Sequence, residues 1–170
     1  SFTEALRRLQ LALSLSNIDA EPKVIVVTSS VPGEGKSTTA ISLARLAAQS
    51  GKKVVLIEGD LRRPILAEML GLGIVEYGIA EALSGKKSLD KCLIKDPRSD
   101  VLLLACAGKP PSPVDLLLSN AMEKMVATLR TTFDLVIFDS VPLLPVNDTK
   151  ILVRFADAVL LVMRWEKTPR

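Results

Sequence analysis

The sequence predicts a three-layer α/β domain, with a mostly parallel central sheet flanked by helices. Three observations predict it. Short unbroken apolar runs, Val24-Ile25-Val26-Val27 and Leu135-Val136-Ile137-Phe138 among them, read as strands buried on both faces of a parallel sheet. Segments with apolar residues at helical spacing lie between such runs, and that alternation means βαβ units with right-handed crossovers. The 170 residues, 48% apolar and 24% charged, suit one globular domain. A chain of that length buries roughly 70% of the surface it exposes when unfolded.

The elements follow in order. Phe2, Ala5, Leu6, Leu9, Ala12 and Leu13 recur at helical spacing, with Arg7, Arg8 and Gln10 between them, so the first element is an amphipathic helix. A polar break over Asn17–Pro22 separates it from the first strand, Lys23–Thr28. Lys36–Gln49 is an Ala/Leu-rich helix that Ser50-Gly51 stops. Val54–Ile57 is the second strand, and Ile65–Leu70 and Ile79–Leu83 are short helices, each followed by a glycine, Gly71 and Gly85. Val101–Ala105 is the third strand. Pro113 opens a helix over Val114–Leu118, and Ala121–Leu129 forms another. Leu135–Phe138 and Ala158–Val162 are the fourth and fifth strands. Ligands of such sheets sit outside the carboxyl ends of the strands, which places the chemistry just after Thr28, Ile57, Phe138 and Val162.

Composition excludes several chemistries. There is no histidine, and Cys92 and Cys106 form no paired motif, so Cys/His zinc sites and histidine-based triads and dyads are ruled out. Both cysteines read as small apolar core residues of a reduced domain. Aromatics at 4% supply no base-stacking platform, and a net charge of +3 is too small for a nucleic-acid footprint. No apolar run approaches the ~20 residues that span a bilayer. The start at Ser1, without Met or signal pattern, and the basic end at Arg170 lead us to expect one segment of a longer protein.

Three strand-end loops carry the chemistry. After the first strand, Ser30-Val31-Pro32-Gly33-Glu34-Gly35-Lys36-Ser37-Thr38 ends as Gly-Lys-Ser at a strand-to-helix junction, the P-loop pattern, with Ser30 in place of its usual first glycine. Gly33 and Gly35 let successive N–H groups turn inward toward a polyphosphate, and the helix start adds its dipole. Lys36 suits the β- and γ-phosphates, and the Ser37 hydroxyl suits Mg²⁺. The fourth strand ends on Asp139, the position from which a P-loop protein holds Mg²⁺. The second strand ends Glu58-Gly59-Asp60-Leu61-Arg62-Arg63-Pro64, two carboxylates flanking a glycine. One of these would join the Mg²⁺ shell and the other accept a proton from an attacking hydroxyl. The alternative there is a solvated turn neutralised by Arg62 and Arg63.

Taken together, Pro32–Thr38, Glu58–Pro64 and Asp139 resemble the cytoplasmic kinase domain of bacterial tyrosine kinases, the P-loop autokinases of capsule and exopolysaccharide assembly. Gly108-Lys109-Pro110-Pro111-Ser112-Pro113 and the stretch Pro142–Asp148 share the likeness, which covers nearly the whole chain. The resemblance implies a P-loop NTPase fold, ATP and Mg²⁺ as ligands, and γ-phosphoryl transfer to tyrosines of neighbouring protomers. It implies Lys36, Glu58, Asp60 and Asp139 as catalytic residues. Pro32, Gly33, Glu34, Gly35, Lys36, Ser37 and Thr38 would cradle the nucleotide, and Ser37, Asp60 and Asp139 would serve the metal. It further implies a homo-oligomer, a ring in the family, and attachment to a membrane-embedded co-polymerase and export machinery at the cytoplasmic face of the inner membrane. A membrane part would precede this single domain, and helices and a tyrosine tail would follow it.

Several positions depart from the family pattern. Glu58 stands where an aspartate proposed as base is usual, and Gln10 ends the first-helix pattern begun by Glu4 and Arg7, where the family has arginine. Val141 precedes Pro142 in place of a Pro-Pro pair, and Tyr77 is the only tyrosine. Two other readings stand beside the autokinase. One is a partitioning-type or division-site ATPase switch, and the other is a kinase-like module that binds nucleotide only to assemble.

Overall fold

A computed structural model describes residues 1–17, 19–144 and 147–165. Ile18 of the expected polar break, Pro145 and Val146 of the 142–148 stretch, and the basic end at Arg170 lie outside the described residues. Six strands form one sheet in the order β3-β4-β2-β5-β1-β6. Strands β1 (Val24–Ser29), β2 (Val54–Glu58) and β5 (Leu135–Asp139) are buried along their whole length, as their unbroken apolar runs require. Neighbours β4 (Leu102–Leu104) and β6 (Ala158–Val162) are parallel to them. The five expected strands are all present. A sixth, β3 (Leu93–Lys95), lies antiparallel at the edge beside β4 and was not expected, because three residues are too few to show a period.

Alternate residues of the strands build two cores. On one face Ile25, Val27, Val54, Leu56, Leu135 and Ile137 pack under helix α2 (Lys36–Gln49), whose Ala40, Ala44 and Ala47 are fully buried and bring its backbone close to the sheet. Helix α1 (Phe2–Leu15) lies outside α2, with Leu6 buried and Leu13 half-buried, and α3 (Leu66–Met69) joins this layer through Leu66 and Leu70. On the other face Val24, Val26, Val55, Ile57, Val136 and Phe138 meet a second helical layer. That layer contains α4 (Ile79–Leu83), α5 (Leu89–Cys92), α6 (Pro113–Leu118), α7 (Asn120–Thr132) and α8 (Asp148–Val153). Helices α5 and α8 were not expected; unlike α3 and α4, neither is a short apolar run closed by a glycine. Both cysteines are buried in this second core as free thiols.

The ladder register aligns the strand ends. Asp139 lies level with Val27 of β1 and with Glu58 of β2, so the loop after β1 and both acidic strand ends leave the sheet at one rim. Glu58 and Asp139 share the pleat parity of Leu56 and Ile137, which puts both side chains on the α2 face.

Candidate active site

The P-loop turns by two glycines in the left-handed region, Gly33 at φ +82° and Gly35 at φ +87°, conformations that L side chains rarely adopt. A Cβ at either position would meet nothing within 4 Å, so it is the backbone conformation and not crowding that calls for glycine there. Glu34 folds back onto its own loop, its carboxylate accepting the Ser30 and Val31 N–H groups at 2.8 and 3.1 Å. The fourth expected rim position also contributes here, since the Arg164 N–H, just past β6, donates to Glu34 at 3.3 Å. Gly35 caps α2 without a side-chain bond, and the first turn carries no acidic residue. The positive dipole end of a 14-residue helix therefore faces the loop with no acidic residue in its own first turn, which fits a phosphate chain.

Lys36, Ser37 and Asp139 meet. The Ser37 hydroxyl donates to Asp139 Oδ2 at 2.6 Å, and Lys36 Nζ lies 3.3 Å from Asp139 Oδ1 and 3.1 Å from Ser37 Oγ. Asp139 is fully buried, and burial raises its carboxyl above the ordinary value; the Lys36 charge and the Ser37 bond pull it down, and the charge of Asp60 pushes it up. A hard cation beside Ser37 and Asp139 would relieve that buried charge, and a hydroxyl with a carboxylate is the oxygen donor set Mg²⁺ takes. Among the described residues no three acidic or cysteine side chains form a metal cage by themselves. Mg²⁺ in P-loop proteins needs none, because phosphate oxygens and waters complete its shell.

The second acidic loop is built differently from the turn weighed above. Glu58 is 1% exposed. Its Oε2 accepts the Ile65 and Leu66 N–H groups at 2.8 and 3.0 Å, capping α3, while Oε1 takes one long bond of 3.3 Å from the Asp60 N–H. Burial pushes its pKa up to about 7, against the Leu66 bond and with the help of the Asp139 charge. Asp60 Oδ1 accepts the Arg62 and Arg63 N–H groups at 3.1 and 2.9 Å, which shapes its own turn. The Arg62 guanidinium spends its hydrogen bonds elsewhere, in a two-bond pair with Asp148 at 3.0 and 3.3 Å, and reaches Asp60 only through its charge. Between the carboxylates, Gly59 donates to Asp139 O at 2.7 Å, and a Cβ there would stand 2.7 Å from that oxygen and 2.8 Å from Leu152 Cδ1. Beyond Glu58 a cleft of ≈ 400 Å³ opens, lined by Pro64, Glu68, Ala105 and Cys106 as well as Glu58 itself.

Of the expected site residues, the structure joins Lys36, Ser37 and Asp139 by direct bonds and wraps them with Gly33, Glu34 and Gly35. Pro32 is exposed on the same loop, Thr38 is exposed in the first turn of α2, and Asp60 sits half-buried at the rim. Sequence reasoning carried Asp148 only as the end of the family-like stretch Pro142–Asp148 and gave neither it nor Thr149 a role. An Asp-Thr pair there has no partner in view until the fold brings Arg62 to it.

A P-loop between strand and helix, with a buried carboxylate at the adjacent strand tip, defines a P-loop nucleotide-binding domain. The chain matches the AAA domain family over residues 22–168. More narrowly, it belongs to the family of bacterial tyrosine-protein kinases. It is 35% identical over 168 residues to tyrosine-protein kinase YwqD of Bacillus subtilis, covering 99% of this chain and 70% of that protein. It is 34% identical over 172 residues to the succinoglycan biosynthesis transport protein ExoP of Rhizobium meliloti, covering 99% of this chain but only 22% of that protein. Among solved structures, the kinase domain of Escherichia coli tyrosine kinase ETK superposes with a TM-score of 0.92 at 30% identity, over 98% of this chain and 65% of that one. The family named in these relatives favours the tyrosine-kinase reading over the partitioning-type switch.

Proposed function

We propose that this domain binds ATP with Mg²⁺ and transfers the γ-phosphoryl group to tyrosine hydroxyls of neighbouring protomers, in the control of exopolysaccharide or capsule polymerisation and export. The Lys36–Ser37–Asp139 constellation at the mouth of the P-loop carries the reading. The amides at Gly33, Gly35 and the start of α2 would cradle the phosphates, with Pro32, Glu34 and Thr38 shaping the loop. Lys36 would leave Asp139 to stabilise the γ-phosphate, and Ser37, Asp139 and Asp60 would hold the metal, directly or through water. A metal held by these residues would supply Lewis-acid neutralisation of the charge that develops on the transferring phosphoryl group.

In the transfer, the acceptor oxygen forms a bond to the γ-phosphorus, the bond from that phosphorus to the β–γ bridging oxygen breaks, and ADP leaves. The phenolic proton goes to Glu58. Its Oε1 is the less engaged oxygen, it borders the cleft, and a pKa of about 7 suits a general base at neutral pH. Tyr77 is half-buried in the second core with Lys87 4.5 Å over its ring, so acceptors would come from outside this segment.

Oligomer formation is supported by α1, which leaves Phe2, Leu11 and Leu15 exposed and ties Arg8 to Glu4 at 3.1 Å. No helix among the described residues is long and apolar enough to cross a membrane. Anchorage at the inner face of the bacterial membrane would therefore come through another part of a co-polymerase protein.

The test is phosphotyrosine formation by the full chain. Lys36→Met is expected to lower it about a hundredfold or more, the scale for removing a preorganised charge from a transferring group. Unchanged labelling in that variant would overturn the reading.

A further inference from the structure

We propose that Arg62 and Asp148 form a positioning latch that holds the two carboxylate loops of the site at one spacing, an inference that rests on the nucleotide-and-metal reading above. Arg62 belongs to the turn that Asp60 shapes by accepting the Arg62 and Arg63 N–H groups. Its guanidinium reaches across to Asp148, Nε to Oδ2 at 3.0 Å and the terminal nitrogen to Oδ1 at 3.3 Å, a two-bond fork on a carboxylate that is only 3% exposed.

Asp148 opens α8, and the next residue anchors that turn to the strand end holding Asp139. The Thr149 hydroxyl, fully buried, donates to Val141 O at 2.6 Å and stands 3.2 Å from Ser140 Oγ. Ser140 and Val141 directly follow Asp139, and the Ser140 hydroxyl donates to Val27 O at 2.9 Å, just before the P-loop. One unbroken set of bonds therefore runs from the Asp60 turn through Arg62, Asp148 and Thr149 to the residue after Asp139. Leu152 of the same short helix lies against Gly59 and blocks any side chain there. Helix α8 is thus the bracket between the two loops, and Arg62 is its removable pin.

The Arg62 side chain bonds neither of the proposed metal-holding carboxylates, and although its charge reaches Asp60, removing that cation would strengthen metal binding there, opposite to the loss expected from a broken latch. Its effect should therefore appear in metal affinity, through the spacing of Asp60 and Asp139. Partners that orient a metal's ligands typically change its affinity 10–100-fold.

In the full chain, Mn²⁺ in place of Mg²⁺ allows electron paramagnetic resonance to measure metal binding in the presence of ADP. Arg62→Ala is expected to weaken Mn²⁺ binding about tenfold. The affinity for ADP in EDTA should stay near wild type; the urea midpoint should fall, because the buried Asp148 carboxylate loses its cation, so binding is measured well below the unfolding transition. Arg62→Lys should recover only part of the loss, because an ammonium does not make the two parallel bonds. Thr149→Val, which removes one hydroxyl from the bracket, should shift Mn²⁺ affinity in the same direction and keeps the test available if Arg62→Ala does not fold.

Wild-type Mn²⁺ affinity in Arg62→Ala, or in both Arg62→Lys and Thr149→Val, overturns the latch. So does an equal loss of metal-free ADP binding, which would make the pair merely structural. A wild-type chain that binds Mn²⁺·ADP but forms no phosphotyrosine would sink the kinase reading while leaving the latch standing.

Discussion

Glu58 shows how one side chain serves two ends at residue scale. It caps α3 with one oxygen and borders the cleft, and burial holds its pKa at about 7 against an ordinary 4.5. The native protein thus binds this proton more tightly than the unfolded chain does. The stability it contributes is fully present below pH 4.5 and is lost as pH rises through about 7. Across that window the loss is on the order of 3 kcal/mol. Urea midpoints of the wild type should therefore fall from pH 5 to pH 7.5 relative to those of Glu58→Gln; parallel curves would refute it. The residue type and its strand-end place were legible in the sequence. Its cap was not, because the Ile65 and Leu66 amides reach it only after the intervening turn has closed.

At the scale of elements, the site depends on how closely β2 and β5 approach. Gly59 has no strained φ to explain it; it is glycine because the Asp139 carbonyl and Leu152 occupy the space of a Cβ. Gly59→Ala must push β2 from β5 or displace α8. The expected cost is about 2 kcal/mol in urea denaturation, and metal affinity should weaken alongside, since the same shift parts the loops carrying Asp60 and Asp139. A variant as stable as wild type would show that the backbone yields freely there. The long elements were legible because α2 and the buried strands repeat a clear period. Helices α5 and α8 and strand β3, at four, six and three residues, exist because of what they pack against.

Across the whole molecule, one ion pair binds the P-loop helix to the far edge of the sheet. Arg45 of α2 forks onto Asp96 at 2.8 and 2.9 Å, 51 positions away, and Asp96 is 2% exposed. Ser99 and the Arg98 N–H hold the same carboxylate. Arg45→Leu would leave a buried carboxylate without its cation, a loss of about 3 kcal/mol. Asp96→Asn, which removes the charge as well, should cost less. Urea denaturation of both variants checks the order, and equal losses would mean that packing, not charge, sets the cost.

The local order of residues was enough to determine the layered α/β class, the five principal strands and the P-loop turn, and it singled out Lys36, Ser37 and Asp139, which the fold brings together. Those features follow from short-range periodicity and from backbone rules at a strand-to-helix turn. Only the tertiary structure decided that Glu58 caps a helix, that Arg62 turns from its own acidic loop to Asp148, and that Gly59 must lack a side chain. Each depends on which surfaces meet when β2, β5 and α8 come together. No period in the chain encodes those distances, because they arise from packing between segments far apart in sequence, such as Arg62 and Asp148, 86 residues apart.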